Sequence, residues 1–380
     1  MDDVPPSNHE LISEISKHYE KLLGYSVKDT RLEILNKNQW VPLCDRYNLN
    51  KNSSGIYLPR NQTAIIPTES KLSLFHEYFG HGLFCEQSLA GKRLIDLEKK
   101  LLEEEKREFE KKKFTLKDIE KFRKENKTFL DLENFKEKNL KLYEEFAIFS
   151  EYVLSKEFNL NDLFKRRYDS LSKQDKEDIE NVIDFNKNYG DLATFYNFGL
   201  ARRTNVERAK RLLEQVYNDK SRIKLAMLYG SKKEFSDIDI FIVSDSLIPL
   251  ESSWLDIRIE NVKNFEEMVR HFDASMIGPI LNSEYLLGDK DYLEEKKKQI
   301  KKQPISKETI IYNIKKSEEQ KNLALSYPKD SEERKHGFDY VNSYLTNARA
   351  LQNGFKILTE KELKSFSQKE KFIELEGGKL

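Results

Sequence analysis

Apolar positions in the first part of the chain change their period near residue 67. Two short runs rich in residues that favour strands, at 56–58 and 63–66, are bounded by Pro59 and Pro67 and predict strands. The next segment, KLSLFHEYFGHGLFCEQSL, has apolar side chains at positions 72, 74, 75, 78, 79, 83 and 84. This density is typical of a buried helix.

Polar positions dominate residues 91–142, where Lys and Glu surround sparse Leu, Ile and Phe. Such a composition favours long helices with solvated faces, because Glu–Lys neighbours three or four residues apart stabilise a helix slightly. We therefore expect a charged helical arm, either a hairpin or coiled-coil-like, inserted in the first domain. A protein partner bound through this arm is the functional alternative to a simply solvated surface.

The second half of the chain contains both helical periodicity and strand-like runs. Helical periodicity returns over 143–220 and again over 305–375, where SYPKDS and Asn353-Gly354 interrupt it. Between these regions, three short runs rich in apolar and β-branched residues predict strands: RIKLAMLYGS, SDIDIFIVSD and SWLDIRIEN. The order of elements indicates a mainly helical first part, then an α+β part with a helical tail.

Length and composition narrow the class of protein. The 380 residues exceed one ordinary core and indicate two or three domains. Lys and Arg number 66, as do Asp and Glu, so the zero net charge gives no reason to expect a nucleic-acid or membrane partner. The two cysteines, Cys44 and Cys85, fit a reducing compartment. Neither a signal peptide nor a run of about 18 apolar residues is visible, so we expect a cytoplasmic protein.

The predicted strand SDIDIFIV carries candidate metal chemistry. Asp237 and Asp239 are two residues apart, so on a strand both carboxylates face one side while Ile238 and Ile240 pack beneath. Two such charges repel each other unless a cation lies between them, and Mg²⁺ prefers carboxylate and water ligands. Asp256, in the third predicted strand, is a third carboxylate, as a ligand or as the base for an attacking hydroxyl.

Gly230 and Ser231 end the strand that precedes these aspartates. Glycine allows the backbone to approach a phosphate closely, and the serine hydroxyl can donate a hydrogen bond to it. Gly-Ser, then Asp-x-Asp on a strand, then one more Asp on a later strand, together resemble the signature of the nucleotidyltransferase superfamily, which includes the minimal nucleotidyltransferases and the aminoglycoside adenylyltransferases. The resemblance covers about 205–375. It implies Mg²⁺-dependent transfer of a nucleoside monophosphate from an NTP, with ATP expected, to an unknown hydroxyl acceptor.

The loop between Ser231 and Asp237 departs from that family. It has five residues, 232–236, where family members commonly have several more. Lys232 or Lys233 takes the place of the basic residue that often follows the serine, and Lys232 is the candidate contact to the triphosphate. The short loop favours the alternative of a degenerate copy without catalysis.

The segment HEYFGH, residues 76–81, carries a second candidate site. Zinc peptidases usually place two histidines four residues apart on a helix, with Glu after the first histidine as general base. Here His76 and His81 are five residues apart, which in a regular α-helix leaves them about 140° from each other. A π-type bulge would restore their alignment, and Gly80 makes that distortion easier. We therefore predict such a bulge, with Glu77 as the base.

HEYFGH resembles the HExxGH motif of the dipeptidyl peptidase III family of gluzincins. That resemblance implies a zinc ion whose third ligand comes from a Glu-Glu pair on a later helix, here Glu144-Glu145. By its position in the pair, Glu145 is the preferred ligand beside His76 and His81, and Glu144 is the alternative. The segment also resembles the HExxxH motif of TldD-type peptidases, in which a distant cysteine completes the site, but Cys85 is too close to match.

The sequence therefore predicts a multidomain enzyme with two modules. We expect residues 1–204 to form a mainly α, zincin-like metallopeptidase domain that contains the charged arm at 91–142 and acts on a peptide substrate. Residues 205–300 are expected to form an α+β nucleotidyltransferase core, and 301–380 a C-terminal helical bundle. The alternative is a regulatory or binding protein in which one or both sites are degenerate.

Overall fold

The computed structural model describes residues 8–47, 49, 55–67, 70–109, 115–200, 205–231, 233–252, 254–357, 359, 361–362 and 365–366. These residues form two compact units. The first takes its described residues from 1–204, 211–217 and 233–237, and the second from 205–210, 218–232 and 238–380. The chain is mostly helical, with one small mixed sheet in each unit. Within the described residues, none of the helices combines the length and the apolar character needed to cross a membrane.

Helices and one short sheet make up the first unit. Its elements in chain order are α1 (Asn8–Leu23), β1 (Arg31–Leu35), α2 (Lys37–Tyr47), β2 (Ile56–Leu58), β3 (Thr63–Pro67), α3 (Lys71–Ser73), a π-helix (Leu74–Gly82), α4 (Leu83–Gln87), α5 (Leu89–Phe109), α6 (Leu116–Glu125), α7 (Lys127–Glu157), α8 (Asn161–Asp169) and α9 (Lys173–Asn197). β3 is the central strand, parallel to β1 and antiparallel to β2.

The segment predicted as a charged arm packs on the sheet of the first unit. Leu94 and Leu101 of α5 and Leu132 of α7 are buried in one cluster with Tyr57 of β2. Burial of each such side chain contributes roughly 1.5–3 kcal/mol, so one apolar stripe is enough to hold two long charged helices in place. Residues 110–114 lie outside the described part. The helices expected here are present, and α7 continues beyond the arm to residue 157.

A buried carboxylate fixes the loop beside the end of the π-helix. The side chain of Glu86 in α4 accepts hydrogen bonds from the backbone N–H groups of Lys28, Asp29 and Thr30, at 2.8, 3.0 and 2.7 Å. Three charge-assisted bonds compensate for the loss of hydration on burial. Thr30 packs against Gly82, where an added Cβ would lie 3.1 Å from the threonine hydroxyl.

The second unit is built on a five-stranded sheet. The elements from residue 205 onward are α10 (Val206–Val216), which contributes to both units, β4 (Leu225–Tyr229), β5 (Ile238–Val243), β6 (Leu250–Ser252), β7 (Leu255–Glu260), α11 (Val262–Arg270), α12 (Ile277–Asn282), β8 (Glu284–Gly288), α13 (Lys290–Lys302), α14 (Lys307–Ser326) and α15 (Glu332–Gln352). The strand order is β6-β7-β5-β4-β8, with β5 and β7 parallel and the other pairs antiparallel. The three predicted strands correspond to β4, β5 and β7.

The C-terminal helices share the core of this sheet. Phe241 of β5, Phe265 of α11 and Leu351 of α15 belong to one buried cluster. Asp273, which is fully buried, accepts hydrogen bonds from the hydroxyl groups of Tyr312 and Tyr344, each at 3.0 Å. Because these tyrosines lie on α14 and α15, one buried carboxyl group attaches both helices to the loop that follows α11.

Candidate functional site

A π-helix brings the two histidines of HEYFGH to the same face. The helical bonds over Leu74–Gly82 are of the wide type in which residues five apart align, as predicted from the spacing of His76 and His81. Their rings are in contact, with centroids 4.6 Å apart. Gly80 allows α7 to approach, since an added Cβ would lie 2.8 Å from the Cα of Ala147. The glycine therefore serves the packing of two elements as well as the helical distortion.

Helix α7 supplies the third member of the group. The Nε2 atoms of His76 and His81 lie 3.6 and 3.8 Å from the two carboxylate oxygens of Glu144. One ligand atom from each of the three residues lies within 4.8 Å of the other two. Two ligands at about 2.0–2.2 Å from one tetrahedral ion are roughly 3.3–3.6 Å apart, so these separations suit a shared cation better than a hydrogen bond.

Glu145, preferred as the ligand from the sequence, does not join this group. Its carboxylate lies 3.7 Å from Nζ of Lys141, one turn earlier on α7. Neighbouring residues on an α-helix point about 100° apart, so only one member of a Glu-Glu pair can face the histidines. The structure selects Glu144, the alternative of the pair.

Further contacts around the histidines were not predicted. Oε1 of Glu151, which is buried, lies 2.6 Å from Nδ1 of His76, and 3.8 Å from Nε of Arg167. A carboxylate on the far nitrogen orients a histidine that binds metal through its other nitrogen. The ring of Tyr143 stacks on His81 at a centroid distance of 3.8 Å. Glu151 follows Glu144 by seven residues, two helical turns, and this spacing is the signal in the sequence that indicates it.

The electrostatics of the group favour an added positive charge. Burial alone would lower the pKa of His76, but the carboxylates of Glu144 and Glu151 raise it to about 10. Burial, together with the charge on His76, lowers the pKa of His81 to about 3. Partial burial would raise the pKa of Glu144, yet the two histidines lower it. The carboxylates thus hold one proton on His76, at a place where a divalent cation would supply the positive charge instead.

Glu77 lies next to the same group and interacts electrostatically with His76 and Glu144. The side chain is buried, and burial raises the pKa of Glu77 to about 7. Gly55 leaves the space that this carboxyl group needs, because an added Cβ there would lie 2.6 Å from Cγ of Glu77. The Glu144 side chain, by contrast, is 47% exposed, so the group is open to solvent on that side.

Two predicted aspartates meet on the sheet of the second unit. Asp239 on β5 and Asp256 on β7 are register partners in a parallel pair, which places them about 4.8 Å apart along the hydrogen-bonding direction. Both are half-buried, whereas their neighbours along the strands are buried: Ile238, Ile240, Leu255 and Ile257. The alternation expected for SDIDIFIV is therefore present from Ile238 to Ile240, whereas the rest of β5 is buried throughout.

Gly230 packs against the carboxylate of Asp239. Its φ of +73° favours glycine, and an added Cβ would lie 1.8 Å from Oδ2 of Asp239. Tyr229, the register partner of Asp239 on β4, is close to the same pair. Burial raises the pKa of Tyr229, and the charges of Asp256 and Asp239 raise it further.

The remaining predicted residues of this site are placed as follows. Ser231 directly follows Gly230 and is exposed. Asp237 lies one residue before β5, in the segment 233–237 that groups with the first unit. Lys232 lies outside the described residues. Of the predicted set, the structure brings together Gly230, Asp239 and Asp256.

No protein-family model matches the chain, and no curated protein matches it.

Proposed function

We propose that the first unit is a zinc-dependent hydrolase that cleaves peptide bonds. The observation that carries this proposal is the convergence of His76, His81 and Glu144, with ligand atoms within 4.8 Å of one another. Two imidazole nitrogens and one carboxylate are the protein ligands of many catalytic zinc sites, which keep a fourth position for water or substrate. Bound there, zinc supplies a Lewis acid that polarises the substrate carbonyl and lowers the pKa of a water molecule.

The protein side chains account for the proton transfers. Glu77, whose pKa is raised to about 7, can take a proton from water near neutral pH. In hydrolysis the water oxygen forms a bond to the carbonyl carbon, the C–N bond breaks, and Glu77 passes the proton to the leaving nitrogen. Glu151 holds Nδ1 of His76 and so keeps Nε2 directed at Glu144.

Peptide hydrolysis by the zinc-loaded protein tests this proposal. We expect about one zinc per chain, and a Glu77→Gln variant that keeps the zinc but cleaves peptides roughly 10²–10⁴ times more slowly. The matched control is Glu145→Gln, which removes a carboxylate that pairs with Lys141 and should leave cleavage intact. Full activity in Glu77→Gln would exclude its role as base. Two histidines and a carboxylate also suit Fe(II), so iron in place of zinc would redirect the assignment to oxidative chemistry.

We further propose that the second unit transfers a nucleotide. The specific support is the register pair Asp239–Asp256, with Gly230 packed beside it. Two neighbouring carboxylates suit Mg²⁺, which would offset part of the negative charge of an NTP and help to hold it for in-line displacement. In this reaction the acceptor oxygen bonds to the α-phosphorus, pyrophosphate leaves, and Asp256 takes the acceptor proton.

Calorimetric titration with ATP tests this second assignment. Binding is expected in the presence of Mg²⁺ and not in EDTA, and Asp239→Asn should abolish it. The control is Asp291→Asn, which changes an exposed aspartate in the first turn of α13. ATP binding that is the same without Mg²⁺ and in Asp239→Asn would contradict the proposal, and would favour a protein in which this site is degenerate.

A further inference from the structure

A cavity of about 260 Å³ in the first unit is lined in part by Tyr57 and Tyr143, whose rings also lie beside the ring of His81. Its lining is largely apolar and includes Tyr57, Phe84, Ala90, Leu94, Phe135 and Tyr143. These side chains come from β2, α4, α5 and α7, and four of the six belong to the long helices α5 and α7.

Two aromatic rings separate the cavity from the ligand atoms. Tyr143 stacks on His81 at 3.8 Å, and the ring of Tyr57 lies 6.3 Å from that of His81. A group that enters the cavity therefore lies one aromatic ring away from a metal ligand. A separation of one aromatic ring suits a single substrate, with one side chain in the cavity and its peptide bond at the histidine group.

The size and charge of the cavity restrict what it can hold. About 260 Å³ is slightly below the range of roughly 300–1,000 Å³ typical of small-molecule sites, so it suits one side chain. Among the lining residues, Lys136 is paired with Glu98 at 2.8 Å. Arg60 has no carboxylate of the described residues within 4.0 Å, so it leaves a positive charge at the cavity that disfavours a basic side chain.

We propose that this cavity is a specificity pocket, which receives an apolar side chain, of leucine to phenylalanine size, from the residue next to the cleaved peptide bond. The proposal rests on the peptide hydrolysis proposed above for the same unit. Leu140, which lines the cavity and is 54% exposed, gives an apolar rim that a substrate side chain would cover on entry.

Binding of small amino-acid amides tests the pocket without requiring cleavage. The zinc-loaded full-length protein is titrated with acetyl-phenylalanine amide, acetyl-alanine amide and acetyl-lysine amide, with binding followed by ligand-observed NMR. The phenylalanine compound is expected to bind about tenfold more tightly than the other two, because only its side chain removes large apolar surface from water. Comparable affinities for the three compounds would overturn the proposal.

Matched variants locate the binding. Ala90→Trp fills the cavity from its wall and should weaken the phenylalanine compound about tenfold, while zinc content stays the same. Leu89→Trp adds the same indole at the preceding position, which is 51% exposed and does not line the cavity, and should have no effect. Leu140→Asp, at an exposed position, provides a second test if Ala90→Trp fails to fold. Unchanged affinity in a folded pocket variant overturns the assignment.

The pocket and the hydrolase can fail separately. If the protein holds zinc and cleaves peptides, but does so equally beside phenylalanine, alanine and lysine, the pocket proposal is overturned and the hydrolase stands. If the protein holds no zinc, yet binds acetyl-phenylalanine amide in a manner that Ala90→Trp weakens, the cavity is an apolar binding site and the peptide-cleavage part of the proposal is overturned.

Discussion

The two candidate sites are aligned by different forces. In the first unit, His76 and His81 come from a π-helix and Glu144 from a distant helix, so the packing of two helices sets their separation. In the second unit, Asp239 and Asp256 are partners on adjacent parallel strands, so backbone hydrogen bonds set theirs. A glycine lets each arrangement close: Gly80 against Ala147, and Gly230 against Asp239.

The comparison also separates the cations that each site suits. Imidazole nitrogens with one carboxylate favour zinc, whereas a pair of carboxylates favours magnesium. The first group is also mostly buried, with both histidines below 8% exposure, while the two aspartates are half-buried. We therefore expect zinc to bind in the first unit and magnesium in the second.

Removal of zinc is expected to produce the largest change. When free zinc is about a thousandfold above its Kd, zinc binding to the folded protein raises its free energy of unfolding by about 4 kcal/mol. In hydrogen–deuterium exchange in buffer without Mg²⁺ or nucleotide, EDTA should therefore accelerate exchange over 74–82 and 144–157 and leave 225–243 unchanged. Unchanged exchange over the π-helix and α7 would show that zinc does not bind there.

Gly80→Ala should be the next largest change, and it breaks the packing of the first site. The new methyl group would lie 2.8 Å from the Cα of Ala147. Overpacking of this kind typically lowers the free energy of unfolding by about 1–3 kcal/mol. It should also lower the zinc affinity, because it moves Glu144 away from the histidines. Urea unfolding and zinc titration measure the two effects. Adding Ala147→Gly should restore only part of the loss, because the clash with the backbone Cα remains.

Gly230→Ala is the corresponding change in the second site. A positive φ disfavours alanine, and the methyl group would lie 1.8 Å from Oδ2 of Asp239, so strain of about 1–3 kcal/mol and loss of Mg²⁺-ATP binding are expected. Zinc content should stay at the wild-type level. If calorimetry finds ATP binding unaltered in this variant, the strand pair is not the nucleotide site.

Glu151→Gln should have the smallest effect and tests how His76 is oriented. Removing the charge at Nδ1 leaves all three ligands in place, and changes of this type usually lower metal affinity about 10–100-fold. The control on the same helix is Glu157→Gln, which is 53% exposed and lies beside His18. Competition with a chelating dye gives both affinities. Comparable values for the two variants would assign Glu151 to structure alone.

The elements of both sites were predictable from local patterns. Strands β4, β5 and β7 follow from short apolar runs, to which β-branched residues contribute in β5 and β7, and the distortion between His76 and His81 follows from a spacing that a regular helix cannot align. Strands β1, β6 and β8 were not predicted. β1 has five residues and β6 has three, so each gives an apolar pattern too short to stand out in the sequence.

The choice between Glu144 and Glu145 was not accessible from the sequence. It depends on the rotation of α7 about its axis, which the burial of Leu132 and the close approach of Ala147 to Gly80 determine. Glu151 and Tyr143 depend on the same rotation. Sequence spacing indicated the residue types of the group formed by His76, His81 and Glu144, and long-range packing decided which of the candidates meet.

The zinc affinity of Glu144→Gln, compared with that of Glu145→Gln, tests the central claim most directly. The two variants make the same change at neighbouring positions of one helix, so they share effects on helix propensity and net charge. We predict that Glu144→Gln binds zinc at least ~100-fold more weakly than the wild-type protein, because it loses a ligand, while Glu145→Gln stays within about threefold. Equal losses in both variants, or a loss confined to Glu145→Gln, would contradict a metal site formed by His76, His81 and Glu144.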